Sequence, residues 1–308
     1  MRNFNTSVSI LLLFCLIFFV GATTFCAAQI PDRIKSIFPA STVFHQNIPY
    51  AGDTLKKHLL DIYLPSQSKG KLPLVIWVHG GGWMTNDKYA DMGYMKQTVK
   101  DFLDNGYAFA SIDYRFSTTA PFPAQMHDCN QAIEFLYQQA SKYNIDRERI
   151  ALIGFSAGGH LASVLGLSNN NSVTGFYPAQ KKPSFKIKAV VDFYGPSDLL
   201  AFSSDPEILA AENPISLLLG ASPIKRPDLA KAASPVSYVD KNDPPFLIIH
   251  GEKDESVPYT QSLLLQSYLD QVKVKNEVII VDGAPHFGEK FDSESIRTKI
   301  FEFLKANL

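Results

Sequence analysis

The stretch that most constrains this chain is Gly154-Phe155-Ser156-Ala157-Gly158. It lies between the apolar run Ile150-Ala151-Leu152-Ile153 and a stretch carrying Leu161, Ala162, Val164 and Leu165. The first run has the length and composition of a buried strand, and the second reads as a small-faced helix. A serine joining the two occupies a strand-to-helix turn so tight that small residues are needed two places before and two places after it. Gly154 and Gly158 fill those places, and the turn pushes the serine hydroxyl outward. Five-residue patterns of this kind also arise by chance, so the meaning of this one depends on partners elsewhere in the chain.

The rest of the chain supplies strands and helices in alternation. Residues 42–47 and 59–63 read as opening strands, separated by the turn-prone Pro49-Tyr50-Ala51-Gly52-Asp53. Leu74-Val75-Ile76-Trp77-Val78 is apolar throughout and runs into His79-Gly80-Gly81-Gly82-Trp83, which has more glycine than a simple turn requires. Further strands are predicted over 108–115, 189–194, 246–250 and 277–281. Helices are predicted over 94–105, from Pro121-Phe122-Pro123 to near Tyr143, over 263–272, and at the end, where Ile296, Ile300, Phe303 and Leu304 share one face. Such alternation predicts an α/β fold with a mainly parallel sheet covered on both faces. Residues 168–188 and 199–237 interrupt it and read as loops or a partial cap over the site, the first of them mobile at Asn169-Asn170-Asn171.

Lys and Arg number 29 against 30 Asp and Glu among 308 residues, so no basic field points to nucleic acid, and the expected ligand is a small molecule or a neutral polymer. Arg2, the apolar stretch from Val8 to Val20 and the small residues Gly21, Ala22, Ala27 and Ala28 have the order of a secretory leader. Cleavage is predicted after Ala28, giving a secreted or periplasmic chain without stable membrane insertion. An uncleaved anchor is the alternative, and a lipid anchor on Cys26 is disfavoured by the bulky Phe25 before it. Residues 29–308 contain no linker or repeat and are read as one domain. Cys129 is then the sole cysteine, and its helical spacing with Met126, Ile133, Leu136 and Ala140 marks a buried small hydrophobe.

A serine hydroxyl is a weak nucleophile at neutral pH and needs a base, which in turn needs a carboxylate to hold its tautomer. Asp254 stands four residues beyond the strand ending at His250, and His286 follows the final strand in Gly283-Ala284-Pro285-His286-Phe287. Both fall at carboxyl ends of strands, the edge where Ser156 lies. Asp198, Glu252 and Glu255 are rivals for the acid. The other histidines precede the fold's second half (His45, His58), sit on a helix (His127), or flank the glycine loop, the elbow and a strand end (His79, His160, His250).

Taken together, His79-Gly80-Gly81-Gly82-Trp83, Asp113-Tyr114-Arg115, Phe122-Pro123-Ala124-Gln125 with Asp128, the elbow, Tyr194-Gly195-Pro196-Ser197-Asp198 and His250-Gly251 with Asp254, Val257 and Pro258 resemble the α/β-hydrolase superfamily. The resemblance spans nearly the whole of 29–308. It is nearest the hormone-sensitive-lipase-like esterases and the bacterial acetylxylan and feruloyl esterase-like group. It implies an α/β-hydrolase fold, a Ser156-His286-Asp254 triad, and an oxyanion hole made by the N–H groups of Gly81, Gly82 and Ala157. It implies a serine esterase acting on polysaccharide-linked or small short-acyl esters, with no cofactor.

Trp83, Phe155, Tyr194 and Phe287 flank these elements as candidate pocket residues, or equally as core. No metal-ligand spacing occurs, and the glycine loop lacks the lysine of a phosphate-binding loop. Two readings compete with an esterase. A serine peptidase on this fold usually brings a large additional domain, and a non-catalytic binding protein usually lacks a triad member.

Overall fold

The computed structural model describes residues 29–171, 173–177, 182–201 and 210–308. The predicted leader, 1–28, lies outside them. The strands are β1 (Val43–Pro49), β2 (Leu59–Leu64), β3 (Leu72–Val78), β4 (Ala108–Ile112), β5 (Ile145–Phe155), β6 (Ala189–Phe193), β7 (Phe246–Gly251) and β8 (Asn276–Val281). Among the described residues they form one sheet in the order β1-β2-β4-β3-β5-β6-β7-β8. β1 and β2, and β2 and β4, pair antiparallel, and every later pair is parallel.

The helices are α1 (Asp32–Lys35), α2 (Lys96–Asp104), α3 (Ala124–Gln138), α4 (Ala157–Asn169), α5 (Pro214–Leu219), α6 (Pro227–Ala233), α7 (Thr260–Gln271) and α8 (Glu294–Asn307). Alternation along a strand sends successive side chains to opposite faces. In β5, Ile150 and Leu152 therefore join the core under α3, α4 and α7, while Ala151, Ile153 and Phe155 join the core under α2 and α8. A strand covered on both sides has to be apolar in both parities, which is why these runs are continuous. Cys129 is fully buried in the first core, and burial, with Asp128 beside it, pushes its thiol well up.

Parallel strands bring their carboxyl ends to one edge. The elbow is wedged there between β3 and β6. A side chain on Gly154 would stand 2.1 Å from Gly158 O, and one on Gly158 would stand 2.1 Å from Val78 O. Neither position has room for a methyl group.

Of the two insertions, the first differs from expectation in its described residues. The described residues of 168–188 pack at the far end of α4, roughly 20 Å of helix away from Ser156, and do not cover the site. Asn169 is buried, its side chain donating toward Tyr177 Oη at 3.3 Å and accepting from Ile187 N at 3.2 Å. Asn130 donates to Phe176 O at 2.8 Å. The second insertion is the one beside the site. Pro214 at the start of α5 lies against Gly82, and Leu218 O accepts from Phe122 N at 2.7 Å.

His160 ties that insertion to the core. Its Nδ1 accepts from the indole N–H of Trp83 at 3.2 Å, so its Nε2–H donates to Ala233 O at 2.7 Å. Burial holds its pKa down to about 4, and it holds down His79, stacked on Tyr114, to about 4 as well. An unfolded imidazole takes its proton near pH 6.5, whereas these two resist it until about pH 4. Falling pH therefore favours the unfolded chain, and stability fully present above pH 6.5 is lost across that window at up to about 1.4 kcal/mol per pH unit for each histidine.

Urea unfolding between pH 7 and pH 4.5 is expected to show this slope, shallower by one histidine's share in His160→Gln; equal slopes would contradict the buried neutral state. Gly158→Ala is expected to cost about 3 kcal/mol of stability in the same assay at pH 7, and an unchanged midpoint would contradict the wedged elbow.

Candidate active site

Ser156 adopts φ +52°, a left-handed conformation that a serine holds only where its surroundings enforce it. Its N–H donates to Phe193 O on β6 at 2.8 Å, and its carbonyl accepts from His160 N at 2.9 Å as α4 begins. The hydroxyl is left outside the turn, 2.9 Å from His286 Nε2. His286 Nδ1 lies 2.6 Å from Asp254 Oδ2. With Nδ1–H donated to the carboxylate, Nε2 is left to accept the serine proton.

The rival acids are placed otherwise. Asp198 Oδ1 accepts from Leu200 N at 2.9 Å and so caps its own turn, and Glu252 accepts from Gly283 N at 3.1 Å. Glu255 is exposed.

Asp254 has a second imidazole beside it, which sequence reasoning placed only at a strand end. His250 is fully buried, with Nε2 3.1 Å from Asp254 Oδ2 and 2.8 Å from Val257 O, and Nδ1 2.7 Å from Ser262 Oγ. With Ser262 donating to Nδ1, the Nε2–H is shared between the carboxylate and the Val257 carbonyl. Asp254 Oδ1 accepts from Ser256 N and Val257 N at 2.9 and 2.8 Å. Burial works to raise this carboxyl's pKa, but the hydrogen bonds from His250 and His286, the His286 charge and the Val257 N–H hold it well below the usual carboxylate range. Asp254 is therefore ionised whenever His286 is called on to accept a proton.

The glycine loop lies against the elbow. A side chain on Gly80 would come within 2.9 Å of Phe155 O and 3.5 Å of Ser156 Cβ. The loop's carbonyls are tied back: Gly80 O accepts from His79 Nδ1 at 2.7 Å, and Gly81 O accepts from Met84 N and Thr85 N, each at 3.0 Å. Gly81 and Gly82 have φ +113° and +57°, which glycine adopts without strain. No acceptor among the described residues takes the N–H groups of Gly81, Gly82 or Ala157. Ala157 opens a helix, where backbone donors have no partner within the helix. These three groups are thus left without an acceptor among the described residues, and that of Ala157 belongs to the residue directly after Ser156.

Behind the loop Asp91 and Tyr94, which the sequence did not single out, meet Tyr194. Asp91 Oδ2 accepts from Gly80 N at 2.8 Å, and Oδ1 accepts from Tyr94 Oη at 2.7 Å. Tyr194 Oη lies 2.8 Å from Tyr94 Oη, and the Tyr194 ring is 4.8 Å from that of His286. A carboxylate and two phenols thus connect the glycine loop to the flank of His286. The only sequence signal of Asp91 and Tyr94 is a stretch with polar and aromatic residues, from Asp87 to Tyr94, soon after the glycine loop.

The four candidate pocket aromatics separate. Phe155 is core, its ring 4.6 Å from that of Phe193 and 4.2 Å from that of Trp77. Trp83 is 4% exposed and turned to His160. Tyr194, 1% exposed, backs His286, and Phe287 alone of the four stands open to solvent. Asp113 and Arg115 make structural pairs, with Lys57 at 2.9 Å and Asp128 at 2.7 Å.

The likeness to known proteins follows this geometry. Esterase LipQ of Mycobacterium tuberculosis is 32% identical over 220 residues, which are 70% of this chain and 50% of LipQ. The chain spans about half the length of the curated relatives it matches. A truncated form of a carbohydrate esterase from gut microbiota superposes with a TM-score of 0.76 and 32% identity, covering 86% of this chain and 96% of that one. The bifunctional GH43-CE of Bacteroides eggerthii gives a TM-score of 0.77 and 33% identity over 86% of this chain and 35% of its own. The family described as BD-FAE matches residues 60–269, which carry the glycine loop, the elbow and Asp254. This chain belongs to the BD-FAE family, and its described residues make an α/β-hydrolase domain of the esterase type.

Proposed function

We propose that the protein is a serine carboxylic-ester hydrolase that works through an acyl-enzyme and removes acetyl or feruloyl groups from plant polysaccharide. The observation that carries the reading is the relay from Ser156 Oγ to His286 Nε2 at 2.9 Å and from His286 Nδ1 to Asp254 Oδ2 at 2.6 Å, and it is supported by three backbone N–H groups of the glycine loop and the elbow that have no acceptor among the described residues.

Ser156 attacks the ester carbonyl as His286 takes its proton. The carbonyl oxygen gains charge and is held by the N–H groups of Gly81, Gly82 and Ala157, donors worth on the order of 3 kcal/mol of barrier each in such sites. Asp254 keeps His286 in the accepting tautomer and stabilises the imidazolium. His286 then returns the proton to the leaving alcohol, and water, activated by the same imidazole, releases the acid. The carbohydrate part of the reading is supported by the likeness to a carbohydrate esterase and by the predicted export of the chain, which fits an extracellular polymer.

Hydrolysis of p-nitrophenyl acetate, methyl ferulate and acetylated xylan tests this directly. Ser156→Ala is expected to lower kcat by at least about 10⁴-fold and Asp254→Asn by about 10⁴-fold. Activity surviving in Ser156→Ala would overturn the mechanism. Turnover of aryl esters with no release from acetylated or feruloylated xylan would overturn the carbohydrate part alone.

A further inference from the structure

Where the proton returns decides where the two halves of an ester lie. The tetrahedral carbon bonded to Ser156 Oγ carries three other substituents. Its oxyanion faces the N–H groups of Gly81, Gly82 and Ala157, and its leaving oxygen has to come within hydrogen-bond reach of His286 Nε2. The alcohol therefore lies over the His286 flank, and the acyl group takes the remaining direction.

On that flank two aromatic rings stand together. Phe287 is 62% exposed, the highest value among the large apolar side chains described. Its ring centroid is 6.1 Å from that of Tyr94 at an interplanar angle of 37°, and 6.3 Å from that of His286. Tyr94 is only partly buried and is fixed at its far end by Asp91 and Tyr194. The next cation along the chain, Lys290, is engaged by the carbonyl oxygens of Asp282 and Gly283 at 3.1 and 2.9 Å, so it is not offered to a charged alcohol.

We propose that Phe287 and Tyr94 form an alcohol-side subsite that stacks on the sugar ring whose hydroxyl is esterified. The proposal rests on the serine-esterase reading above. An aromatic face is electron-rich and takes up C–H bonds, and a sugar ring presents a face of them. Acetylated and feruloylated polysaccharides differ in the acyl group but share a neutral sugar ring on this side, so one platform serves both. Phe287 and Tyr94 thus discriminate the alcohol rather than the acyl group.

The test compares kcat/KM for an acetylated xylooligosaccharide with that for ethyl acetate, which has no ring in its alcohol, in wild type, Phe287→Ala and Phe287→Trp. Phe287 is largely exposed, so neither substitution disturbs the core. The ratio of the two values is expected to fall about tenfold in Phe287→Ala, mostly through KM for the sugar ester, and to be kept in Phe287→Trp. A ratio unchanged in Phe287→Ala, or one that falls equally in both variants, would overturn the subsite and leave the esterase reading standing. A wild-type protein that hydrolyses neither ester would overturn that reading and the subsite with it.

Discussion

Everything at the site depends on how closely the chain passes itself at the elbow. Gly154 and Gly158 let β5 turn into α4 within van der Waals distance of β3, and the N–H of Ser156 is fastened to Phe193 O on β6. This contact has two consequences beyond the serine. Val78, whose carbonyl touches the elbow, is followed directly by the glycine loop, and Phe193 is followed directly by Tyr194. Loop and tyrosine are therefore placed relative to Ser156 by the packing that holds the serine itself. The positive φ at Ser156 is a local cost, offset by the packing of the elbow between β3 on one side and β6 on the other.

Polar groups then fix what packing leaves adjustable. Trp83, His160 and Ala233 O join the glycine loop, α4 and the second insertion through one neutral imidazole. Asp91 and the Tyr94 and Tyr194 hydroxyls connect the loop's first N–H to the side of His286. His250 and the N–H groups of Ser256 and Val257 hold Asp254 ionised. Each network has its donors matched to acceptors, the condition under which such groups rigidify a site instead of weakening it. Preorganised donors and a fixed base are what a reaction with a charged intermediate requires.

The fold and the Ser156, Asp254 and His286 positions were legible in the sequence because they depend on short-range features: apolar runs of strand length, glycines at fixed offsets, and polar residues just past strand ends. What was not legible depends on contacts far apart in the chain. Asp91, Tyr94 and His250 gain their places from the sheet order and not from spacing. Phe155 is the last residue of β5, directly before Ser156, and has the parity of Ala151 and Ile153, so it falls into the core under α2 and α8. Trp83, adjacent to the glycines, is turned inward by its bond to His160. Of the two insertions, the one after α4 leaves that helix at the end away from the serine, and its described residues pack there.

The measurement that bears most directly on the central claim is the location of a covalent adduct. Treatment of the protein with p-nitrophenyl diethyl phosphate, an organophosphate that reacts with a serine activated by a neighbouring imidazole, is followed by peptide mapping in a mass spectrometer. The account predicts one diethylphosphoryl group per chain, on Ser156, lost when His286 is replaced by alanine. An adduct on another residue, or an unmodified Ser156 in folded protein, would contradict it.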